Sequence, residues 1–111
     1  MASNAAVLDK SFQALANATR RALVERLLAG PATVSELAKP FRMALPSLLQ
    51  HLEVLEASGL VRSFKAGRVR TVQVVPKRLE HVADWLEKQR SLWNTRLDQF
   101  DSYVTSMEKE R

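Results

Sequence analysis

The stretch from Thr33 to Val61, TVSELAKPFRMALPSLLQHLEVLEASGLV, fixes two short helices and the turn between them. Thr33 and Glu36 have the Thr-x-x-Glu spacing of a capping box, in which each side chain satisfies an orphan backbone donor of the other residue. Val34, Leu37, Ala38 and Phe41 then recur at helical spacing, giving one apolar face. Arg42 to Ala44 form the turn. Pro46 suits the first turn of a second helix, where its missing N–H is not needed. Leu48, Leu52 and Leu55 follow at i, i+4 and i+7 as a buried stripe. Gly59 stops the helix, because glycine takes the left-handed C-terminal position without strain. Leu60 and Val61 are expected to fold back onto the core.

A pair of this kind is a helix-turn-helix, and such a pair presents the outer face of its second helix to the DNA major groove. On Leu45 to Ser58 the face away from the leucines carries Ser47, Gln50, His51 and Val54, with Leu45 and Pro46 at its tip. Serine and glutamine hydrogen-bond base edges, and glutamine pairs well with adenine. The same spacing also describes a plain two-helix hairpin in an all-α core, and the residues after the second helix separate the two readings.

After Gly59 the periodicity changes. Val61, Ser63, Lys65, Val69, Thr71 and Gln73 contrast with Arg62, Phe64, Arg70, Val72 and Val74, β-branched residues are frequent, and Ala66-Gly67 supplies a turn. This predicts a β-hairpin with strands near 61–65 and 69–75 and a tip at Lys65-Ala66-Gly67-Arg68, the wing of a winged helix-turn-helix. The charge distribution supports that placement. Seventeen Lys and Arg against twelve Asp and Glu give a net charge of +5, and no acid lies between Glu56 and Glu80, where Arg62, Lys65, Arg68, Arg70, Lys77 and Arg78 are all basic. A one-sign patch is the footprint of a nucleic-acid-binding face, and its cations neutralise phosphates. The competing reading is an ordinary solvated hairpin.

Upstream, Val7, Leu8, Phe12, Leu15 and Ala16 predict an amphipathic helix over 5–16, with Asn17 and Thr19 as capping residues at the break. A second helix follows, with Leu23, Leu27 and Leu28 on its buried side and Arg20, Arg21, Glu25 and Arg26 outside, ended by Gly30-Pro31. Downstream of Pro76, residues 77–108 contain no Gly or Pro. Val82, Leu86, Trp93, Leu97, Phe100, Val104 and Met107 form one stripe, widened by Trp85 and Leu92. At 1.5 Å per residue this helix would be ~45 Å long, more than the width of the rest of the domain. A stripe of that length cannot be buried against its own chain and marks an association surface. The expectation is a two-fold dimer built on residues 5–16 and 77–108, with Phe12, Leu86, Trp93, Leu97, Phe100 and Val104 at the interface. The alternative is a hairpin that folds back after Asn94-Thr95.

The chain of 111 residues is expected to be one domain, mainly α with a β-hairpin wing (α+β), helix-turn-helix over 33–58 and wing over 61–75. It has no cysteine, which excludes disulfides and thiolate metal sites. No apolar run is long enough to span a bilayer, and MASNAAVLDKSF lacks the pattern of a signal peptide, so a cytoplasmic protein is expected. A Gly-rich phosphate loop, paired carboxylates and a nucleophile partnered with either histidine are all missing, so no catalytic residue, enzyme activity or cofactor is expected.

LANATRRALVERLL, SELA, and HLEVLEASGLV leading into a wing with Gly67-Arg68 together resemble the ArsR family of bacterial winged-helix regulators, whose corresponding opening is LADPTRRRILELL. The resemblance runs from about Phe12 to Val75. It implies a homodimeric transcription regulator, usually a repressor, that releases operator DNA when a signal arrives; double-stranded DNA, a second copy and a small-molecule inducer are the implied partners. The family often opens its reading helix with Ser-Gln-Pro-x-Val-Ser-x-His. Here Ala44-Leu45-Pro46-Ser47-Leu48-Leu49-Gln50-His51 keeps Pro46 and His51, while Leu45 is placed to meet a thymine methyl. The implied base readers are Leu45, Ser47, Gln50 and His51, and the implied phosphate ligands Arg42, Lys65, Arg68 and Arg70. Metal-sensing members carry Cys-x-Cys where this chain has Leu37-Ala38-Lys39, or Asp, His, His and Glu on the last helix, where only His81 and Asp84 have such spacing. The chain resembles the metal-independent members, and no metal site is expected. A non-specific DNA-coating protein and a winged-helix protein-interaction module share the fold and stand as alternatives.

Overall fold

The computed structural model describes residues 4–110. Five helices and a small sheet follow in the order α1 (Asn4–Leu15), α2 (Ala18–Leu28), β1 (Ala32–Thr33), α3 (Val34–Phe41), α4 (Leu45–Ser58), β2 (Val61–Ala66), β3 (Val69–Val74) and α5 (Pro76–Lys109). α3 and α4 are the helix-turn-helix, and β2–β3 the wing.

The expected punctuation holds at Asn17, Thr33 and Gly59, whereas Thr19 lies inside α2 and Ala29 caps its C-terminus ahead of Gly30. Asn17 caps α2, its side chain accepting from the Arg20 N–H at 3.1 Å. Thr33 caps α3 by accepting from the Glu36 N–H at 3.1 Å, but the return contact differs from a full capping box: the Thr33 hydroxyl donates to Glu36 Oε1. Arg42 ends α3 in the left-handed region at φ 47°, and Gly59 ends α4 there at φ 84°. Gly67 has φ 62° and Arg68 no positive φ, the pattern of a two-residue type II′ turn, whose twist matches that of the flanking strands.

The core is the leucine set of the helix-turn-helix closed from three sides. Leu37, Leu48, Leu52 and Leu55 are fully buried against Leu23 of α2, Leu60 and Val72. Each such side chain contributes about 1.5–3 kcal/mol on burial. In α2 the buried residues are Leu23, Val24 and Leu27, whereas Leu28, assigned to the buried side from the sequence, is 58% exposed. Leu23, Val24, Leu27 and Leu28 cluster around the helix, and the position of α4 and the sheet decides which three face inward.

Ala32–Thr33 forms a third strand absent from the sequence reading, giving the antiparallel order β1-β3-β2. In the wing Val61 pairs with Val74 and Ser63 with Val72, so odd-numbered residues of β2 share a face with even-numbered residues of β3. The alternation within each strand is as expected; the grouping across the turn is inverted, because a two-residue turn pairs opposite parities.

α5 is one uninterrupted helix of 34 residues and does not fold back at Asn94-Thr95. Its first turns pack on the core through Leu79 and Val82; residues 91–103 and 105–110 are all exposed. The molecule is accordingly elongated, 76 × 34 × 21 Å, with a radius of gyration of 20.3 Å, against about 13 Å for a compact chain of this length.

Gly59 carries a further constraint: a Cβ there would lie 2.8 Å from Arg78 Nε on α5. The guanidinium is flexible enough to move, so the backbone dominates the cost. Gly59→Ala is expected to destabilise the fold by about 1–2 kcal/mol, the strain of a left-handed non-glycine residue, read as a shift in the denaturant midpoint at unchanged slope.

Candidate nucleic-acid interface

α4 is held by its leucine stripe with its opposite face in solvent. Leu45 is 51% exposed, and Pro46, Ser47, Gln50 and Val54 are exposed beside it. No side chain caps the start of α4, where Ala44 is the N-cap and a proline occupies the first turn. Its unpaired N–H groups and the positive end of the helix dipole therefore suit a phosphate oxygen.

The wing stands on one flank of this helix. Leu45 and Leu49, the start of α3 at Thr33 to Ser35, and Lys65, Arg68, Val69 and Arg70 line a groove of about 620 Å³. Lys65 and Arg68 are exposed at its outer edge, and Arg42 is exposed in the turn before α4. The surface thus combines a protruding helix tip with cations in the wing and in the turn before α4, the arrangement that meets a groove and its bordering phosphates.

Arg70 is placed differently from its neighbours. Its Nη2 donates to Glu56 Oε2 at 2.7 Å and its Nε to Ser63 Oγ at 3.0 Å, while the Ser63 hydroxyl donates to Glu56 Oε1. Arg70 and Glu56 are both about one-third exposed or less. Sequence reading assigned Arg70 to phosphate; the structure gives it a carboxylate partner, because its strand face turns toward α4. The three side chains form a buckle between the wing and the C-terminal turn of α4. Glu56 and Arg70 are fourteen positions apart, and no local pattern announces the pairing.

On the other flank stands Arg20, which the sequence placed outside. It is half-buried, and its Nε and Nη2 donate to the carbonyls of Ala14 at 2.7 Å and Gln13 at 3.1 Å, closing the C-terminus of α1. Its Nη1 lies 3.4 Å from Nδ1 of His51, which is itself half-buried. Arg21 donates to the Leu15 carbonyl at 2.8 Å. Arginines are favoured at such positions because the last carbonyls of a helix lack partners.

The expected association residues lie together on α5 and α1. Leu86, Trp93, Leu97 and Phe100 are 42–62% exposed, and Val104 is half-buried. Phe12 packs edge-on against Trp85, with centroids 5.6 Å apart and planes at 75°, so it joins α1 to α5 and is still 37% exposed. Among the described residues no three metal-ligating side chains cluster; His81 is half-buried and Asp84 exposed. The hydrogen bonds from Arg90 hold the Glu87 carboxyl below its usual range. No helix among the described residues is long and apolar enough to cross a membrane.

A family model described as a helix-turn-helix domain matches residues 15–63. The chain is 38% identical over 98 residues to the HTH-type transcriptional regulator Rv2034 of Mycobacterium tuberculosis, covering 88% of this chain and 89% of that protein. It is 26% identical over 61 residues to the transcriptional repressor SdpR of Bacillus subtilis, covering 55% of this chain and 68% of SdpR. Among solved structures, the ArsR family transcriptional regulator RHA00566 superposes with a TM-score of 0.77 at 52% identity, covering 85% of this chain and 97% of that one. Through the leucine-locked helix pair, the hairpin wing and the likenesses to Rv2034 and RHA00566 over 88% and 85% of its length, the chain belongs to the ArsR family of winged helix-turn-helix transcriptional regulators.

Proposed function

We propose that this regulator acts as a homodimeric repressor that binds a near-palindromic operator, each reading helix entering one of two successive major grooves about one helical turn apart. The observation that carries this is the exposed tip of α4, where Leu45 shares one groove with Lys65 and Arg68 and Ser47 and Gln50 stand exposed beside it. Ser47, Gln50, His51 and Leu45 read bases; Arg42, Lys65 and Arg68 hold phosphates; Arg70 acts through the buckle that sets the wing. The uncovered stripe of α5 supplies the second copy, and symmetry then requires two related half-sites. The resemblance to SdpR, named a repressor, favours blocking transcription over activating it.

Selection of bound fragments from genomic DNA, followed by footprinting, tests this reading. The expected result is a discrete protected site with dyad symmetry that overlaps a promoter, and lower transcription from that promoter when protein is added in vitro. Uniform protection without a site would instead establish a DNA-coating protein, and no gel shift at moderate salt an interaction module. Gln50→Ala is expected to relax preference at one position of each half-site, costing about 1–3 kcal/mol of discrimination there while affinity for random DNA is unchanged.

A further inference from the structure

We propose that Arg20 is the positioning residue that fixes the tautomer of His51, so that His51 meets the duplex as a hydrogen-bond donor through Nε2. This rests on the reading of α4 as the DNA-facing helix and adds the chemical form in which one of its residues acts.

The Arg20 guanidinium is held at two points and its backbone at a third. Its Nε and Nη2 donate to the carbonyls of Ala14 and Gln13, and its backbone N–H to Asn17 Oδ1, at 2.7, 3.1 and 3.1 Å. The remaining terminal nitrogen, Nη1, faces Nδ1 of His51 at 3.4 Å. A guanidinium has only donors and does not lose its proton in proteins. The ring nitrogen beside it must therefore be the acceptor, without a proton of its own. A neutral imidazole has one N–H, and the hydrogen bond at one nitrogen determines which nitrogen carries it. With Nδ1 accepting from Arg20, the proton lies on Nε2.

The alternative tautomer would direct N–H at a fixed cation and a lone pair at the polyanion. With the proton on Nε2 the same ring offers a donor where DNA offers acceptors: phosphate oxygens, guanine O6 and N7, thymine O4. The contact also links the end of α1 to the middle of α4 across 31 positions of sequence, so the ring's orientation depends on how α1 sits.

The test uses side chains that each mimic one ring nitrogen. The amide nitrogen of glutamine falls near Nε2, and the amide oxygen of asparagine near Nδ1. His51→Gln is expected to keep operator affinity within a few-fold, whereas His51→Asn, which keeps an acceptor for Arg20 and loses the outward donor, should lose about tenfold, the worth of one hydrogen bond. Loss on every sequence assigns the donor to phosphate; loss at a single position assigns it to a base. In the free full-length protein, nitrogen-15 NMR of His51 should show the Nε2–H form, shifting to a tautomer mixture in Arg20→Met. Arg20→Met should weaken operator binding in the wild-type background and leave the His51→Gln protein unaffected. An Nδ1–H ring in the wild type, or an equal cost of Arg20→Met in both backgrounds, would overturn the proposal. Should Arg20→Met fail to fold, the wild-type tautomer and the Gln/Asn pair decide it alone. The tautomer is read without DNA, so a protein that binds no operator would defeat the functional reading and leave this measurement standing.

Discussion

Replacing Leu97 and Phe100 together by aspartate is expected to give a folded monomer whose operator affinity has fallen by about two orders of magnitude or more, since joining two half-site modules raises avidity by roughly 10²–10⁴. Both positions lie on α5 beyond the point where it leaves the core, 42% and 62% exposed, and no part of the described chain covers them. A helix of 34 residues is about 51 Å long at 1.5 Å per residue. Its first turns pack on the core through Leu79 and Val82, while the outer part projects along the long axis of a molecule whose shorter extents are 34 and 21 Å. An isolated helix with so large an apolar stripe is marginal in water and gains its stability from packing. In the proposed dimer a second copy provides that packing by two-fold symmetry, with Phe12 and Trp85 at the root of the interface. Two buried carboxylates per chain would oppose it through unpaired charge. Sedimentation velocity should show a dimer for the wild type and a monomer for the variant, with circular dichroism reporting a retained core. A monomeric wild type, or a variant that still dimerises, would remove the dimer from the mechanism.

The parts legible in the sequence are those set by neighbours a few positions away. The Thr33 cap, the Leu48-Leu52-Leu55 stripe, the Gly59 stop, the Gly67 turn and the unbroken run after Pro76 are local rules, and the structure follows each. What was not legible depends on tertiary partners. β1 has two residues, too few to show alternation, and exists because Ala32 and Thr33 meet Val72 and Thr71. Leu28 and Val24 both fit a helical face, and only the packing of α2 sends one out and the other in. Arg20 reads as a solvated cation and Arg70 as a phosphate ligand, since a charge in a basic stretch gives no sign of a carbonyl or carboxylate waiting six or fourteen residues away. The site was therefore half readable: its exposed tip and wing cations came from pattern, while the two arginines that brace α4 came from the fold.

That division gives the wing cations and the buckle different signatures in salt. Lys65→Ala with Arg68→Ala is expected to weaken binding to operator and random DNA alike by about 10–100-fold at physiological salt, and to flatten the plot of log affinity against log salt by about 2, because each phosphate contact contributes a slope of about −0.9 through counterion release. Both residues are exposed, so the fold should be unaffected. Arg70→Met should behave otherwise. It removes the partner of Glu56 and one of the two side chains bonded to Ser63. The wing then loses its fixed angle to α4, and operator affinity falls through misplacement of Lys65 and Arg68 rather than through a lost phosphate contact. The salt slope should stay within about half a unit of the wild type, since the arginine's charge was already matched by the Glu56 carboxylate. Fluorescence anisotropy across a salt series separates the outcomes. A slope for Arg70→Met reduced as much as that of Arg68→Ala would mean that Arg70 leaves Glu56 for a phosphate on binding, and that the buckle opens when the wing engages the backbone.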